Sequence, residues 1–303
     1  MAYPTPQVTN TTAAVFIPEI WSDEVIAAYK SNLVAANVMK KMSFKGKKGD
    51  VIHIPKPTRG TPSAKVSEAA VTLISDTETE VLVPINKWYE YSRFIEDITE
   101  VQALSSMRRF YTEDAGYSLA KQVDTDLVQL GRVMNGGDGT NSYDAGYTGA
   151  DGTTLYDGAN AAALTDIAVR NVIQKLDDQD VPTTGRFFLV PPAARNTLLG
   201  LDRYTAMDMV GEAGSANTIR NGHIGNLYGI PVYVTSNADT TNADGDRVCL
   251  MGQKDAAVLV EQLGIRSQTQ YKQDYLATLY TSDTIYGVQA LREDAAFALV
   301  VPA

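Results

Sequence analysis

Residues 95–134 read IEDITEVQALSSMRRFYTEDAGYSLAKQVDTDLVQLGRVM, a stretch without proline. Apolar side chains recur mostly at every third or fourth position from Ile95 to Met134, and Gly116 interrupts the pattern. This spacing predicts one amphipathic helix of about 38 residues, because side chains three and four positions apart share a helix face. At 1.5 Å per residue such a helix would be roughly 55 Å long, several times the usual length.

A helix of this length could be one strand of a coiled coil or a spine that lies across a sheet. A coiled coil needs a regular charge code beside its apolar seam and a partner helix of similar length. Here the flanking charges follow no regular order, and no helix pattern of comparable length occurs elsewhere in the sequence. We therefore expect a spine helix that packs across a sheet.

The sequence ahead of the spine opens with an arm marked by prolines. Residues 1–17 combine Pro4 and Pro6 with Thr, Asn and Gln, a composition typical of an extended segment. Residues 18–42 are amphipathic, and Pro18 suits the first turn of a helix. We expect an extended arm followed by a first helix, and the arm must lie on something else to gain burial.

Residues 44–93 have the pattern of a long two-stranded hairpin. A short strand from Val51 to Ile54 ends at Pro55, and a basic, turn-rich segment follows at 56–64. Strand patterns return at 66–75 and 78–92. An isolated hairpin of that length is marginal in water, and its tip has almost no apolar side chains. We therefore expect this hairpin to pack on another chain.

The sequence after the spine predicts alternating helices and strands. A loop rich in Gly, Asp, Asn and Tyr covers 136–159, where Gly139–Asp144 is weakly echoed by Gly152–Asp157. A turn at 242–246 should join two strands as a hairpin. The predicted elements are a helix at 164–178 opened by Thr165 and Asp166, a strand at 186–190, a helix behind Pro191 and Pro192, and strands at 229–235, 247–251, 258–261, 265–271, 284–291 and 295–301.

The bulk composition excludes several classes of protein. The chain has 26 basic and 36 acidic side chains and a formal net charge of −10. A nucleic-acid-binding protein is disfavoured, because negative charge repels the phosphate backbone. The single cysteine, Cys249, lies in an apolar run and is expected to be a buried packing residue in a reducing compartment. No signal-peptide pattern or membrane-length apolar run occurs, so we expect a cytosolic protein without a membrane partner.

A search for catalytic, cofactor-binding or metal-ligating residues yields no candidate. The histidines, His53 and His223, lack ligand spacing, and no G-x-S-x-G or P-loop pattern occurs. The acids of the Gly- and Asp-rich loop could suit calcium, but they lack EF-hand spacing, so a solvated loop is preferred. A hydrolase that uses this loop, with Asp144 and Asp157, remains an alternative, but we predict that the protein is not an enzyme.

Positive charge concentrates in one place, between Lys40 and Lys48. As a nucleic-acid patch this cluster lacks interleaved aromatic residues apart from Phe44. In an otherwise acidic chain we expect it to meet an acidic neighbouring subunit.

The predicted order of elements resembles the Hong Kong 97 capsid fold of tailed-bacteriophage major capsid proteins. Three stretches also look like those of phage head proteins: Phe16–Trp21 near the start, Lys47–Pro55 at the opening of the hairpin, and Gly225–Val234 followed by Thr235, Ser236 and Asn237. Each stretch is weakly specific, but the resemblance extends over nearly the whole chain.

The resemblance implies an α+β capsid fold with named parts. These are an N-arm with its helix at 1–43, an extended β-hairpin E-loop at 44–93, the spine helix of a peripheral domain at 94–135, the Gly- and Asp-rich loop at 136–159, an α/β axial domain at 160–255, and returning strands of the peripheral domain at 256–303. An axial position is the alternative for the last of these strands.

The resemblance also implies a function and a set of partners. Subunits of this type form hexamers and pentamers of an icosahedral shell that encloses double-stranded DNA, assembled in the host bacterial cytoplasm. We expect a separate scaffolding protein, because the arm follows Met1 almost at once, together with a portal and a possible decoration protein. An encapsulin-type compartment shell is the alternative. The candidate subunit contacts are Lys45, Lys47, Lys48, Arg59, Trp21 and Phe16.

Overall fold

The computed structural model describes residues 34–56, 60–68, 70–71, 73, 78–97, 106–201, 225–241 and 245–303. Its helices are α1 Ala35–Val38, α2 Ser106–Gln129, α3 Asp166–Asp178 and α4 Pro192–Leu199. Its strands are β1 Lys40–Ser43, β2 Val51–Lys56, β3 Thr79–Pro84, β4 Lys87–Glu96, β5 Tyr147–Thr148, β6 Arg186–Val190, β7 Asn226–Leu227, β8 Ile230–Val234, β9 Arg247–Gln253, β10 Ala257–Lys272, β11 Ala277–Ala290 and β12 Ala296–Val301.

A six-stranded sheet in the order β5-β12-β9-β6-β8-β7 carries the main core. Every residue of β6 and of β12 is buried, as expected for strands covered on both faces. Helix α3 packs its apolar stripe, including Val169, Val172 and Leu176, into the same core. The Thr165 side chain caps α3 by accepting from the Ala168 N–H, which confirms the predicted start of this helix.

A second sheet, in the order β1-β10-β11-β4, is built on the two longest strands. The start of β10 is fully buried, whereas its residues from Ile265 to Tyr271 are exposed. The sheet thus begins in the core and extends outward into a distal end. Helix α2 is joined to its inner part, because Asp126 accepts a hydrogen bond from Tyr286 of β11 at 2.6 Å and pairs with Lys87 of β4 at 3.1 Å.

Strands β2 and β3 form a separate two-stranded hairpin, which we call the extended hairpin. Its base is fixed to the second sheet: Val83 and Ile85 are buried against Val258 and Val260 of β10. At Gly287 of β11 the two backbones come so close that a Cβ there would lie 2.3 Å from the Pro84 carbonyl oxygen.

The predicted spine helix is confirmed in part and wrong at its beginning. Helix α2 occupies Ser106–Gln129, but Ile95 belongs to β4, where it pairs with Thr278 of β11. Residues 87–96 are rich in aromatic residues and alternate between half-buried and exposed positions, which suits a strand. The apolar spacing that began the helix prediction at Ile95 therefore arose from a strand that leads toward the helix.

Three other boundaries also differ from the predictions. Lys40, Lys41 and Met42 lie in β1 and not in the first helix; the rest of that prediction, at 18–33, lies outside the described residues. Strand β2 pairs with β3, and the described residues of 66–75 form no strand. Strands β8 and β9 are no hairpin, because β6 lies between them, although Thr241 N–H and Asp246 C=O close a local turn at 3.0 Å.

Candidate functional site

The described part of the chain was compared with the predictions for metal ligands, membrane spans and the single cysteine. Within it, no group of three or more His, Cys, Asp or Glu side chains is placed to hold a metal ion. None of the described helices has both the length and the apolar character needed to cross a membrane. Cys249 is completely buried, as predicted, and burial raises the pKa of its thiol, which leaves it unreactive.

The Gly- and Asp-rich loop is built as two similar turns. Asp138 accepts the Thr140 N–H, and Asp151 accepts the Thr153 and Thr154 N–H groups. In each turn a glycine with positive φ follows the aspartate, at Gly139 and Gly152. The weak sequence echo therefore corresponds to a repeated Asp-Gly-Thr turn.

Each of these turns ends in a buried tyrosine that binds a buried aspartate. Tyr143 donates to Asp239 at 2.7 Å, and Tyr156 donates to Asp246 at 2.9 Å. Arg132 also holds Asp239 through two hydrogen bonds, at 2.6 and 2.9 Å. Burial is the main cause that raises the pKa of Tyr143, with the Asp239 charge second. The tyrosines of this loop thus anchor it to the 239–246 turn.

The basic cluster near β1 is partly neutralised within the chain. Lys40 pairs with Asp255 at 3.0 Å, and Lys45 pairs with Glu261 at 3.6 Å. Lys47 lies 5.5 Å from the centroid of the Phe44 ring, while Lys48 is exposed. Both ion pairs are largely solvent-exposed and worth little, so these lysines can still exchange partners. The structure brings Lys45, Lys47 and Lys48 together at the base of the extended hairpin.

The other three candidates, Phe16, Trp21 and Arg59, lie outside the described residues. The roles of all six side chains in subunit contacts stay predictions.

The long loop of the extended hairpin exposes apolar side chains that contact little within the chain. Val66 is 67% exposed, Val71 69%, Leu73 86%, and Leu82 on β3 is 47% exposed. Isolated exposed apolar residues are common, but several on one projecting segment indicate a surface that is covered by something else. The sequence did not indicate this feature, because the turn-rich segment at 56–64 is polar and the strand pattern at 66–75 predicted paired side chains.

A second apolar surface lies at the distal end of the second sheet. Phe94, Tyr275 and Leu276 are 53%, 70% and 66% exposed, and the Phe94 and Tyr275 ring centroids are 5.7 Å apart. Tyr271 donates to Asp97 at 2.8 Å beside them. We call the side chains of Phe94, Tyr271, Tyr275 and Leu276 the distal cluster. Aromatic residues concentrated at an exposed end are typical of protein contacts.

Comparison with known proteins identifies a family for the chain. The family described as phage capsid protein matches residues 81–302. A comparison with curated protein sequences gave no match.

Solved structures resemble the chain over almost its full length. A structure from Mycobacterium phage Che8 has a TM-score of 0.74 at 22% identity and covers 94% of this chain and 97% of its own. The capsid structure of the cyanophage P-SCSP1u has a TM-score of 0.75 at 18% identity and covers 99% of both chains. The capsid of a native GTA particle has a TM-score of 0.67 at 11% identity, covering 99% of this chain and 100% of its own.

The chain is therefore a structural protein with the α+β fold of phage capsid subunits, and it assembles with copies of itself. The family match spans well over half of the sequence, so the chain belongs to the phage capsid protein family and is a structural major capsid protein of the virion. The predicted fold class is thereby confirmed. The alternatives of a compartment shell and a hydrolase are not favoured, because the family and the neighbouring structures are phage capsids.

Proposed function

We propose that this major capsid protein forms hexamers and pentamers that close into an icosahedral shell around double-stranded DNA. The observation that carries the proposal is the pair of projecting apolar surfaces on a family member that assembles with itself: the loop of the extended hairpin and the distal cluster. No described residue of the same chain covers either surface. Closed rings would place both surfaces of every subunit against neighbouring copies.

The proposed parts follow the order of the chain. We assign an N-arm to 1–43, an E-loop to 44–93, the segment of a peripheral domain that contains the spine helix α2 to 94–135 and an axial domain to 160–255, with peripheral strands at 256–303. The long second sheet beside α2 supports the peripheral assignment, and the core around β6, β9 and β12 supports the axial one. In this division β12 contributes to the axial sheet, as its pairing with β9 suggests.

The proposed partners beyond the subunit itself are a separate scaffolding protein, a portal and a possible decoration protein, with assembly in the host cytoplasm. The net charge of −10 supports a container that does not bind its DNA by sequence. A wall of net negative charge repels phosphate, and salt limits that repulsion to about 10 Å.

Electron microscopy of the expressed protein, alone and with its scaffolding partner, tests this proposal. We expect closed particles with five-fold and six-fold rings. A protein that stays a small monodisperse species under every condition would contradict the proposal.

A double variant tests the role of the hairpin loop. Val71→Ser with Leu73→Ser should leave the subunit folded and reduce particle yield strongly, because these side chains are exposed in the subunit. Ile167→Ser on α3 is the matched control, since Ile167 is a 52% exposed apolar residue away from both surfaces. Unchanged yield in the double variant would refute the proposed contact.

A further inference from the structure

Strand β4 is a long edge strand of the second sheet. It pairs with β11, and among the described residues no strand lies on its other side. The other end strands of the two larger sheets are short: β1 has four residues, and β5 and β7 have two each, whereas β4 has ten. Strand β4 contains four aromatic residues and no proline or glycine. An exposed edge of this length and composition is usually covered by another strand.

The free backbone groups of β4 belong to its even-numbered residues. Asp97 N–H donates to Leu276 C=O at 3.1 Å, and these residues lie opposite each other, one position beyond the pair of Glu96 and Ala277. Bonded and non-bonded pairs alternate in an antiparallel ladder, so the odd-numbered residues of β4 bond to β11. Four residues therefore direct their N–H and C=O groups away from β11: Trp88, Glu90, Ser92 and Phe94.

The two faces of β4 differ in what covers them. The odd-numbered side chains lie under α2: Tyr91 donates to Asp114 at 3.2 Å, and the Arg93 guanidinium lies 4.4 Å from the centroid of the Tyr111 ring. The even-numbered side chains point to the opposite, open face, and all of them are exposed. A strand added at this edge would therefore extend both the face under the helix and the open face.

A second copy of β4 fits this edge by symmetry. A two-fold axis normal to the sheet relates two identical antiparallel strands and brings residues of equal parity opposite each other, because paired side chains share one face. The free groups of one copy therefore meet the free groups of the other. Helix α2 lies over β4 and β11, so the two copies of α2 would run about 10 Å apart, an ordinary packing distance.

Charges disfavour most positions of this axis. With the axis at Glu90 or at Arg93, that side chain would face its own copy, and like charges directly opposite each other are destabilising. With the axis at Ser92, the Glu90 carboxylate would lie opposite the Phe94 ring, whose face carries negative charge density. Axes nearer either end would pair only a short part of the strand.

With the axis at Tyr91 the opposing side chains suit each other. On the open face, Trp88 of one copy lies opposite Phe94 of the other and forms an aromatic pair. On the face under the helices, Tyr89 lies opposite Arg93, an arrangement that places a cation beside a ring. Each of these contacts occurs twice, and no like charges lie opposite each other.

We propose that β4 of one subunit pairs with β4 of a second copy, antiparallel and centred on Tyr91, across a two-fold axis. The inference rests on the proposed function, because it takes the partner from the same shell. A two-fold contact closes on itself and cannot propagate around a five-fold or six-fold ring, so it joins subunits of adjoining rings. It also covers part of the distal cluster, because Trp88 of the second copy lies against Phe94.

Disulfide trapping in assembled particles of the full chain tests this pairing. Glu90→Cys is combined with Ser92→Cys, because an axis at Tyr91 places these two residues opposite each other, with Cα atoms about 5.5 Å apart and within disulfide range. Each of them is diagonal to its own copy, about 7–8 Å away, which is beyond that range. We expect the oxidised double variant to run mostly as dimers on non-reducing gels, and either single variant to give few dimers. Cys249 is buried and stays unreactive.

The gel pattern separates the competing explanations. Ladders of trimers and higher multimers would show a contact that does not close on itself, and intact particles without dimers would show that something else covers β4. Either result overturns the inference and leaves the capsid function intact. Abundant dimers from Ser92→Cys alone would place the axis at Ser92 and contradict the proposed register. Failure of the wild type to form particles would contradict the proposed function, and this contact with it.

A matched pair of variants at Ser92 tests the backbone bonding directly. Ser92→Pro removes an N–H that faces the free edge and that the pairing with β11 does not use, and proline is tolerated on edge strands. Ser92→Ala loses the same hydroxyl and keeps the N–H. We expect Ser92→Pro to lower particle yield several-fold and Ser92→Ala to leave it unchanged, at equal thermal stability of the subunits. Equal particle yields from the two variants would exclude strand pairing at this edge.

Discussion

At the residue scale, the two tyrosines of the Gly- and Asp-rich loop should contribute measurably to stability. Tyr143→Phe and Tyr156→Phe each remove the hydroxyl donor of a buried aspartate, Asp239 or Asp246. A hydrogen bond to a charged group contributes about 1.5–3 kcal/mol. Urea unfolding midpoints should therefore fall in both variants, although Asp239 keeps its two bonds from Arg132. Tyr275→Phe, at a 70% exposed position, should change stability by less than about 0.5 kcal/mol. Equal midpoints in all three variants would contradict the anchoring role.

Asp283 should govern part of the acid stability of the second sheet. Arg266 donates to its two oxygens at 2.7 and 2.9 Å, and Trp88 donates at 3.2 Å. The bond from Arg266 is the main cause that lowers the pKa of Asp283 below its ordinary value of 3.8. A carboxyl group with a lowered folded-state pKa stabilises the fold above the unfolded value, and this contribution is lost as pH falls through the folded value.

Asp283→Asn should therefore be less stable than wild type near neutral pH, and the difference should shrink below about pH 4. Urea unfolding at several pH values measures the gap. Asp274→Asn, at an exposed position beside the distal cluster, serves as the control and should show little difference at any pH. A gap that stays constant down to pH 2 would show that the charge of Asp283 is irrelevant.

At the element scale, the approach of the extended hairpin to β11 depends on Gly287. A Cβ at this position would lie 2.3 Å from the Pro84 oxygen, so Gly287→Ala must push the hairpin base away from the sheet. We expect a loss of about 1–3 kcal/mol in unfolding free energy. Gly116→Ala is the matched control: it lies in α2 with open space around its Cβ, and should stabilise by up to about 1 kcal/mol. Equal effects of both substitutions would contradict the close contact.

Elements with strong local signals were predicted correctly. Strand β6 and helix α3 match their predicted ranges closely, because an apolar run and a capped amphipathic stretch specify their state locally. The wrong predictions concern strands whose position depends on pairing with distant segments. Ile95 fits a helical spacing but joins β11, and β8 fails to form a hairpin with β9 because β6 takes the place between them.

The sequence indicates only some of the residues that we propose as subunit contacts, for a related reason. The sequence marks Lys45, Lys47 and Lys48 by charge alone, and the structure shows that Lys45 already has a partner in Glu261. The exposure of Phe94, Tyr275 and Leu276 could not be predicted, because the same side chains would look identical in a core. These side chains are exposed because β10 and β11 extend beyond the core.

At the scale of the whole molecule, assembly should be driven by apolar burial more than by ion pairs. The hairpin loop and the distal cluster expose large apolar side chains, while the lysine ion pairs near β1 are solvent-exposed and weak. Sulfate salts, which strengthen apolar burial, should lower the critical concentration for assembly. Light scattering of purified subunits measures this critical concentration. Assembly that weakens steadily with added sulfate would indicate that screened ion pairs dominate instead.

Local periodicity and composition by themselves determined the core of the long helix, the α3 and β6 elements, the buried Cys249 and the lack of catalytic patterns. The resemblance to capsid proteins indicated the fold class. Tertiary structure alone decided the strand neighbours, the joining of Tyr143 and Tyr156 to aspartates about 90 residues away, and the position of β4 at the end of its sheet. Such features depend on contacts between distant segments, whose free energy no single stretch of sequence contains.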